Sequence, residues 1–179
     1  MKICVYCSSA EGLAPEFYAA GEAFGRALAQ HGHTLVYGGY DQGIMGAVAS
    51  GARAGGAPVI GVIPAIFAQD DFTASCCTQV IHVDTMAQRK AAMEAQADAF
   101  AVLPGGIGTY DEFFEALVLR SLGQLDKPIG IYNVQGCYDP LCSFLQSAAA
   151  QGFVSQRNLE LAPLFSSAEA LLAHLEAEH

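Results

Sequence analysis

The strongest constraint on the fold is an alternation of short apolar runs with longer amphipathic stretches along the chain. The pattern predicts strands at 2–7, 34–37, 58–63, 79–83, 99–103 and 128–132, and helices near 15–31, 43–55, 85–97, 109–122, 139–151 and 167–177. Residues 59–63 are apolar almost without interruption, which is typical of a strand covered on both faces. We therefore predict an α/β fold, a Rossmann-like, doubly wound parallel sheet. Residues 64–78 fit neither pattern clearly.

The length of 179 residues predicts a single domain, 1–179, able to bury a substantial core. Although 53% of the residues are hydrophobic, no apolar run approaches the roughly 20 residues of a membrane span. The apolar start of the chain turns polar at Ser8, too early for a signal peptide. We therefore expect a cytoplasmic protein without a membrane partner, and the apolar excess favours a subunit interface.

The charge balance limits the kinds of partner. Eight Lys and Arg residues against eighteen Asp and Glu residues give a net charge of −10. Such a chain can neutralise few phosphates of a nucleic-acid backbone, so a DNA or RNA polymer is not expected as a partner. A mononucleotide needs only one or two well-placed cations and stays compatible with this charge.

Six cysteines include one C-x-x-C pair, Cys4 and Cys7, which has the spacing of a redox or metal site. However, these two residues lie in a predicted strand, where positions three apart point to opposite faces. We therefore interpret all six as reduced structural cysteines of a reducing compartment. The five histidines show no ligand spacing, so no metal site is predicted.

Small residues follow three of the predicted strands. Ser9 follows the first strand, Gly38 and Gly39 follow the second, and Gly105 and Gly106 follow the fifth. Ligands of doubly wound sheets bind beyond the carboxyl ends of the strands. Three such turns at one edge predict a binding site there.

Residues 104–109, Pro-Gly-Gly-Ile-Gly-Thr, lie between a buried strand and a helix, and we call them the glycine loop. Gly105, Gly106 and Gly108 let backbone N–H groups turn toward a ligand, and the following helix start attracts an anion. The dinucleotide and triphosphate fingerprints are both absent, so no cofactor is predicted. The loop predicts a phosphate site for a nucleotide-like small molecule.

Two polar clusters allow more than one interpretation. Thr109 and Glu112 have the spacing of a capping box, and spacing alone favours that structural role for Glu112. Met86 and Arg89 share one helical stripe with Met93, so the guanidinium either reaches solvent or pairs with an anion. Together with the neighbouring Lys90, Arg89 forms a cationic pair near a helix start that an anionic ligand would compensate.

The sequence resembles the Lonely Guy family of cytokinin riboside 5′-monophosphate phosphoribohydrolases, which often carry a lysine decarboxylase label. The resemblance rests on Met-x-x-Arg-Lys at 86–90, followed by Pro-Gly-Gly-x-Gly-Thr-x-x-Glu at 104–112. It spans nearly the whole chain and includes residues 5–9, 36–39, 43–46, 61–64, 127–129 and 152–154.

The resemblance implies a Rossmann-like homodimer that hydrolyses the N-glycosidic bond of N6-modified AMP to the free base and ribose 5-phosphate. It implies catalytic roles for Arg89 and Glu112 and phosphate binding by the glycine loop. The predicted substrate and phosphate contacts are Ser9, Gly38, Gly39, Met86, Lys90, Gly105, Gly106, Ile107, Gly108, Thr109 and Asp111. The chain departs from the family pattern at Tyr40, Ala87, Asp111 and Arg120, where the family often has Gly, His, Glu and Trp.

The expected chemistry passes through an oxocarbenium-like ribose. We expect the helix start to keep Glu112 ionised, which suits it to stabilise that cation and makes it a poor general acid. Lysine decarboxylation would need a Schiff-base lysine, and none of Lys2, Lys90 and Lys127 has the context of a cofactor site. A non-catalytic nucleotide or cofactor carrier is the alternative function.

Overall fold

The computed structural model describes residues 1–67 and 75–179 and contains one sheet of seven parallel strands. The strands are β1 Lys2–Tyr6, β2 Thr34–Tyr37, β3 Val59–Pro64, β4 Gln79–Val83, β5 Ala99–Val102, β6 Ile129–Tyr132 and β7 Leu164–Phe165. The helices are α1 Pro15–Gln30, α2 Gly43–Ala54, α3 Met86–Gln96, α4 Ile107–Ser121, α5 Asp139–Ala150, α6 Gln156–Glu160 and α7 Ala168–Ala177. None of the helices in these ranges is long and apolar enough to cross a lipid bilayer.

The strand order is β4-β3-β2-β1-β5-β6-β7, so the chain winds outward from β1 and then returns to its other side. Cys4 of β1 is in register with Val36 of β2 on one side and with Phe100 of β5 on the other. The order therefore reverses between β1 and β5. In such sheets the crevice at the carboxyl ends of the reversing strands is where ligands bind.

Helices cover both faces of the sheet, as the apolar strand runs predict. One core contains Phe24 of α1, Val48 of α2 and Leu172 of α7. The other contains Met93 of α3 and Phe113 of α4. The prediction of a doubly wound α/β sheet is confirmed.

The C-x-x-C pair divides between these two cores. Cys4 packs in the core under α3 and α4, whereas Cys7 packs in the core under α1, α2 and α7. All six cysteines are free. The prediction that Cys4 and Cys7 point to opposite faces of the sheet is confirmed.

The structure differs from the predicted elements mainly at one helix start and in several short elements. Helix α4 begins at Ile107, two residues before the predicted start, because its N-cap is Gly106 and not Thr109. The short elements α6 and β7 were not predicted, since five and two residues are too few to show a period. In the undecided segment 64–78, a 3₁₀ turn covers Ala65–Phe67, and residues 68–74 lie outside the described part of the chain.

Candidate active site

A cavity of about 500 Å³ opens at the carboxyl edge of the sheet, at the reversal of strand order. Two backbone hydrogen bonds join the loops that form it. The Ser8 N–H donates to the Pro104 carbonyl oxygen over 3.1 Å, and the Met45 N–H donates to the Ser8 carbonyl oxygen over 3.0 Å. The turn after β1 is thereby fixed to both the glycine loop and the start of α2. The three turns that the sequence predicted to share an edge do converge.

A buried ion pair forms part of the cavity wall. Arg89 Nη1 donates to Glu112 Oε1 over 2.9 Å, and the two side chains are only 8% and 6% exposed. Arg89 Nε also donates to the Val62 carbonyl oxygen of β3 over 3.2 Å, so the guanidinium is held at two points. A Cβ atom on Gly38 would overlap Arg89 Nη2, so the absence of a side chain there makes room for the guanidinium.

The environment of Glu112 changes its acidity. Burial raises its pKa to about 7, and the Arg89 guanidinium opposes part of that rise. Glu112 is the sixth residue of α4, one turn beyond the backbone N–H groups that would hold a carboxylate ionised. The expectation of a firmly ionised carboxylate, unsuited to proton donation, is therefore wrong. Near neutral pH the group is poised between its two protonation states.

The capping role considered for Glu112 is also wrong. Thr109 is the third residue of α4 and 3% exposed, and Gly106 at the N-cap makes no side-chain cap. A capping box is present at α3, where Thr85 Oγ1 accepts from the Gln88 N–H over 3.2 Å and Gln88 Oε1 accepts from the Thr85 N–H over 3.2 Å. This cap fixes the helix turn that carries Arg89.

The glycine loop presents an uncapped helix start to the cavity. Helical geometry leaves the N–H groups of Ile107, Gly108 and Thr109 without an acceptor inside α4, and the first intrahelical bond runs from the Tyr110 N–H to the Gly106 carbonyl oxygen. Gly106 and Gly108 line the cavity, and a Cβ at either would meet open space. The arrangement can accept an anion on backbone N–H groups.

The other predicted contacts divide into two sets. Those among the described lining residues are Ser9, Gly38, Met86, Gly106, Gly108 and Thr109. The predicted contacts that are not among the lining residues are Gly39, Lys90, Gly105, Ile107 and Asp111. Gly39 has a φ of 76° and packs against Ile63, so the turn itself requires glycine at this position. Gly105 borders a neighbouring cavity of about 310 Å³.

Lys90 and Asp111 contact each other outside the cavity lining. Lys90 Nζ lies 3.0 Å from Asp111 Oδ2 and also pairs with Glu115, so its charge is balanced by carboxylates of α4. Both residues border an outer surface patch together with the exposed side chain of Ile107. The cationic pair suggested by the sequence is thus split, with Arg89 inside and Lys90 outside.

Sequence reasoning identified only part of an apolar side of the cavity. It contains Tyr40, Met45 and Phe67 together with the predicted Met86. The rings of Tyr40 and Phe67 meet edge to face with centroids 6.3 Å apart. Phe67 belongs to segment 64–78, where no helical or strand periodicity indicated which side chains are buried or line a site. This side offers aromatic and thioether surface to a flat ring.

Comparison with known proteins decides the family. A family model described as "Possible lysine decarboxylase" matches residues 45–175. The cytokinin riboside 5′-monophosphate phosphoribohydrolase LOG2 of Arabidopsis thaliana is 39% identical over 98% of this chain and 82% of its own length. The phosphoribohydrolase LOG of Oryza sativa subsp. japonica is 39% identical over 98% of this chain and 72% of its own length. The chain belongs to the Lonely Guy family. The resemblance drawn from the two motifs is confirmed.

Solved structures share the fold with this member of the Lonely Guy family. A molybdenum cofactor carrier protein from Chlamydomonas reinhardtii has a TM-score of 0.76 at 20% identity, covering 99% of this chain and 96% of that one. A molybdenum cofactor binding protein from Rippkaea orientalis has a TM-score of 0.73 at 19% identity, covering 98% and 95%. At such identities the likeness extends to the Rossmann-like sheet and not to the ligand.

The lysines of the chain do not support the decarboxylase activity named in the description of the family model. The three lysines of the chain are accounted for by other contacts: Lys2 Nζ donates to Gln96, Lys90 pairs with Asp111, and Lys127 Nζ donates to the Glu94 carbonyl oxygen. None of them is among the described residues that line the cavity. A Schiff base to pyridoxal phosphate would need one there.

A second polar cluster contains two of the five histidines. His31 and His33 lie beside Glu176 of α7, with ligand atoms of all three side chains within 4.8 Å of one another. His33 and Glu176 are 143 residues apart in sequence, so no local spacing could have indicated that they lie together. The cluster lies at the amino end of β2, the edge of the sheet opposite the cavity.

Proposed function

We propose that this chain hydrolyses the N-glycosidic bond of a nucleoside 5′-monophosphate and releases the free base and ribose 5-phosphate. The preferred substrates are N6-modified AMP compounds, the cytokinin riboside 5′-monophosphates named for its relatives. One observation carries the proposal: a buried Arg89–Glu112 pair lines the same cavity as an uncapped, glycine-rich helix start. The first offers charge to a reacting sugar, and the second offers N–H groups to a phosphate.

In the proposed complex the phosphate lies at the amino end of α4, on the N–H groups of the glycine loop. The ribose then lies over Glu112, and the base lies against Tyr40, Phe67 and Met86. Aromatic side chains bind flat rings by stacking or edge contact, so this side of the cavity suits a purine. Since Tyr40 is a departure from the family pattern, it is the residue on which base preference depends most.

The chemistry follows from the two charged groups. The bond between C1′ and the base nitrogen breaks with its electron pair going to the base, which leaves positive charge on the ribose. Ionised Glu112 stabilises that charge and accepts a proton from the attacking water, whose oxygen bonds to C1′. The departing base takes a proton from solvent, and Glu112 later releases to solvent the proton that it accepted. A guanidinium has only hydrogen-bond donors, so Arg89 orients Glu112 and adds positive potential for the phosphate.

The test is a panel of nucleoside monophosphates incubated with purified protein, with free base and ribose 5-phosphate measured by chromatography. We expect release from N6-modified AMP, slower release from AMP, and far slower release from the matching nucleosides, because phosphate contacts position the reacting bond. Equal turnover of AMP and adenosine, or no release from any substrate, would refute the proposal. Tight nucleotide binding without turnover would favour the carrier alternative.

We also propose a cytoplasmic homodimer. The six free cysteines fit a reducing compartment. The interface proposed is the outer side of α4, where Ile107, Val118 and Leu122 are 87%, 53% and 65% exposed. Apolar side chains aligned along one helix surface favour burial against a second protein surface.

A further inference from the structure

The cluster of His31, His33 and Glu176 has no part in the proposed hydrolysis. It lies at the opposite edge of the sheet from the cavity and joins the turn between α1 and β2 to the last turn of α7. Glu176 Oε1 lies 2.8 Å from His31 Nδ1 and 2.8 Å from His33 Nε2. One carboxylate oxygen therefore faces two imidazole nitrogens at once.

The local sequence builds this convergence. His31 ends α1 as its C-cap, Gly32 has a φ of 71°, and His33 leads into β2. The left-handed glycine reverses the chain within one residue, which brings the two imidazole rings to a centroid separation of 5.9 Å. His33 is 6% exposed, so one side of the cluster is rigidly packed.

The separations suit a small tetrahedral dication. A zinc ion bound to nitrogen and oxygen at about 2.0–2.2 Å holds its ligand atoms roughly 3.4 Å apart. The two 2.8 Å nitrogen–oxygen separations are hydrogen-bond lengths, so each of these two pairs needs to open by only about half an ångström to admit the ion. The two imidazole nitrogens, which lie within 4.8 Å of each other, have to take up the same spacing.

An outer carboxylate completes the pattern. The second ring nitrogen of His31, Nε2, lies 3.1 Å from Glu169 Oε2, the arrangement that fixes the tautomer and orientation of a metal-ligating histidine. The side chains of His31 and Glu176 are 31% and 37% exposed, which provides an entry path and room for a water ligand.

We propose that His31, His33 and Glu176 bind a first-row transition-metal dication, represented by Zn²⁺, with water in the fourth position. Two imidazoles and one carboxylate match Zn²⁺, whereas Mg²⁺ and Ca²⁺ prefer oxygen ligands throughout. The bound ion cross-links α7 to the α1–β2 turn, so it stabilises the fold and leaves the reaction at the other edge unchanged.

The experiment is calorimetric titration of the chelator-treated full chain with ZnCl₂, paired with thermal unfolding. We expect one saturable site per chain and a higher unfolding temperature with Zn²⁺. His31→Gln and Glu176→Gln should each remove the site, and His33→Gln should do so if it folds. His82→Gln, which changes an exposed histidine of β4, is the matched control and should bind as the unchanged chain does. Glu169→Ala should weaken binding about tenfold, as expected for an outer-shell partner.

The free cysteines are competing ligands, and Co²⁺ distinguishes them. A Co²⁺ complex of the histidine cluster should show tetrahedral visible absorption without a thiolate-to-metal charge-transfer band. A charge-transfer band that persists in His31→Gln, equal Zn²⁺ affinity in His31→Gln and the unchanged chain, or no saturable binding at all would each overturn the proposal. Because binding is measured directly, these outcomes are independent of whether the chain hydrolyses nucleotides.

Discussion

At the scale of single residues, Arg89 and Glu112 contribute differently although they form one ion pair. A guanidinium keeps its proton throughout the physiological range, so only Glu112 can transfer one. Burial brings the pKa of Glu112 to about 7, and Arg89 keeps it from rising further. The ion pair therefore supplies a carboxylate that is ionised often enough to stabilise a cation and basic enough to take a proton from water.

Glu112→Gln tests that role against a matched control. The amide keeps the shape of the side chain and removes its charge, so we expect turnover to fall by roughly 10²–10³, the scale for loss of one electrostatic stabiliser. Glu22→Gln, which changes a helical glutamate of α1 that pairs with Arg26 away from the cavity and from the outer side of α4, should leave turnover near normal. Steady-state kinetics on N6-modified AMP give the comparison. Near-normal turnover by Glu112→Gln would leave the chain without an identified carboxylate catalyst.

The pKa of Glu112 predicts the pH dependence of the reaction. If the ionised carboxylate is the active form, kcat/KM rises as pH increases through about 7 and levels off above it. The rise should be missing from the residual activity of Glu112→Gln, since the amide does not titrate. A flat profile for the unchanged chain between pH 5 and about 8 would contradict the assignment.

The same pKa predicts a pH dependence of stability with the opposite direction. The folded state binds the Glu112 proton more tightly than the unfolded state does. The contribution of Glu112 to the free energy of unfolding is therefore complete below its ordinary pKa of 4.5 and is lost as pH rises through about 7. The loss is on the order of 3 kcal/mol. Urea unfolding of the unchanged chain and of Glu112→Gln at several pH values isolates it, since only the unchanged chain should lose this contribution over that window.

At the scale of elements, the start of α4 combines a structural weakness with a binding role. A side-chain oxygen at the N-cap would satisfy N–H groups that are otherwise free. Gly106 provides none, so these groups stay available at the cavity. The helix thus gives up part of its own stability at the point where the proposed phosphate compensates for it.

Gly108→Ala should separate those two effects. Gly108 has open space around its Cβ position and no positive φ, so alanine should stabilise the helix by about 0.5–1 kcal/mol. The added methyl group would occupy the cavity side of the phosphate site, so KM for the monophosphate should rise while the slow reaction of the nucleoside is unchanged. Thermal unfolding and KM measurements check both parts. Unchanged KM would indicate that the phosphate does not lie against this turn.

Elements with a clear period were predictable from the sequence, and the contacts between them were only partly so. The apolar strands predicted the sheet, and the motifs at 86–90 and 104–112 indicated Arg89 and Glu112 as site residues but left the partner of Arg89 open. The start of α4 was misplaced because Thr109 and Glu112 satisfy capping spacing by coincidence. Part of the apolar side of the cavity and the whole histidine cluster were missed, because segments distant in sequence build them and no local pattern indicates contacts between such segments.

At the scale of the whole molecule, α4 is the element that connects the cavity to the outer surface. Its inner side carries Thr109 and Glu112, both buried. Its outer side carries Ile107, Phe114 and Val118, which recur at helical spacing and border one surface patch. A partner bound to that outer side would therefore hold the helix that carries the proposed catalytic carboxylate, so assembly and activity should be coupled.

Val118→Asp tests the proposed dimer through this helix. The side chain is 53% exposed, so the change should leave the fold intact while placing a charge within the interface. We expect the unchanged chain to sediment at micromolar concentration as twice its mass of 18.7 kDa, and Val118→Asp to sediment as a monomer with reduced turnover. Phe153→Ser changes another exposed apolar residue, 81% exposed and outside α4, and should remain dimeric. A fully active monomer of the unchanged chain would show that α4 needs no partner to hold Glu112 in place.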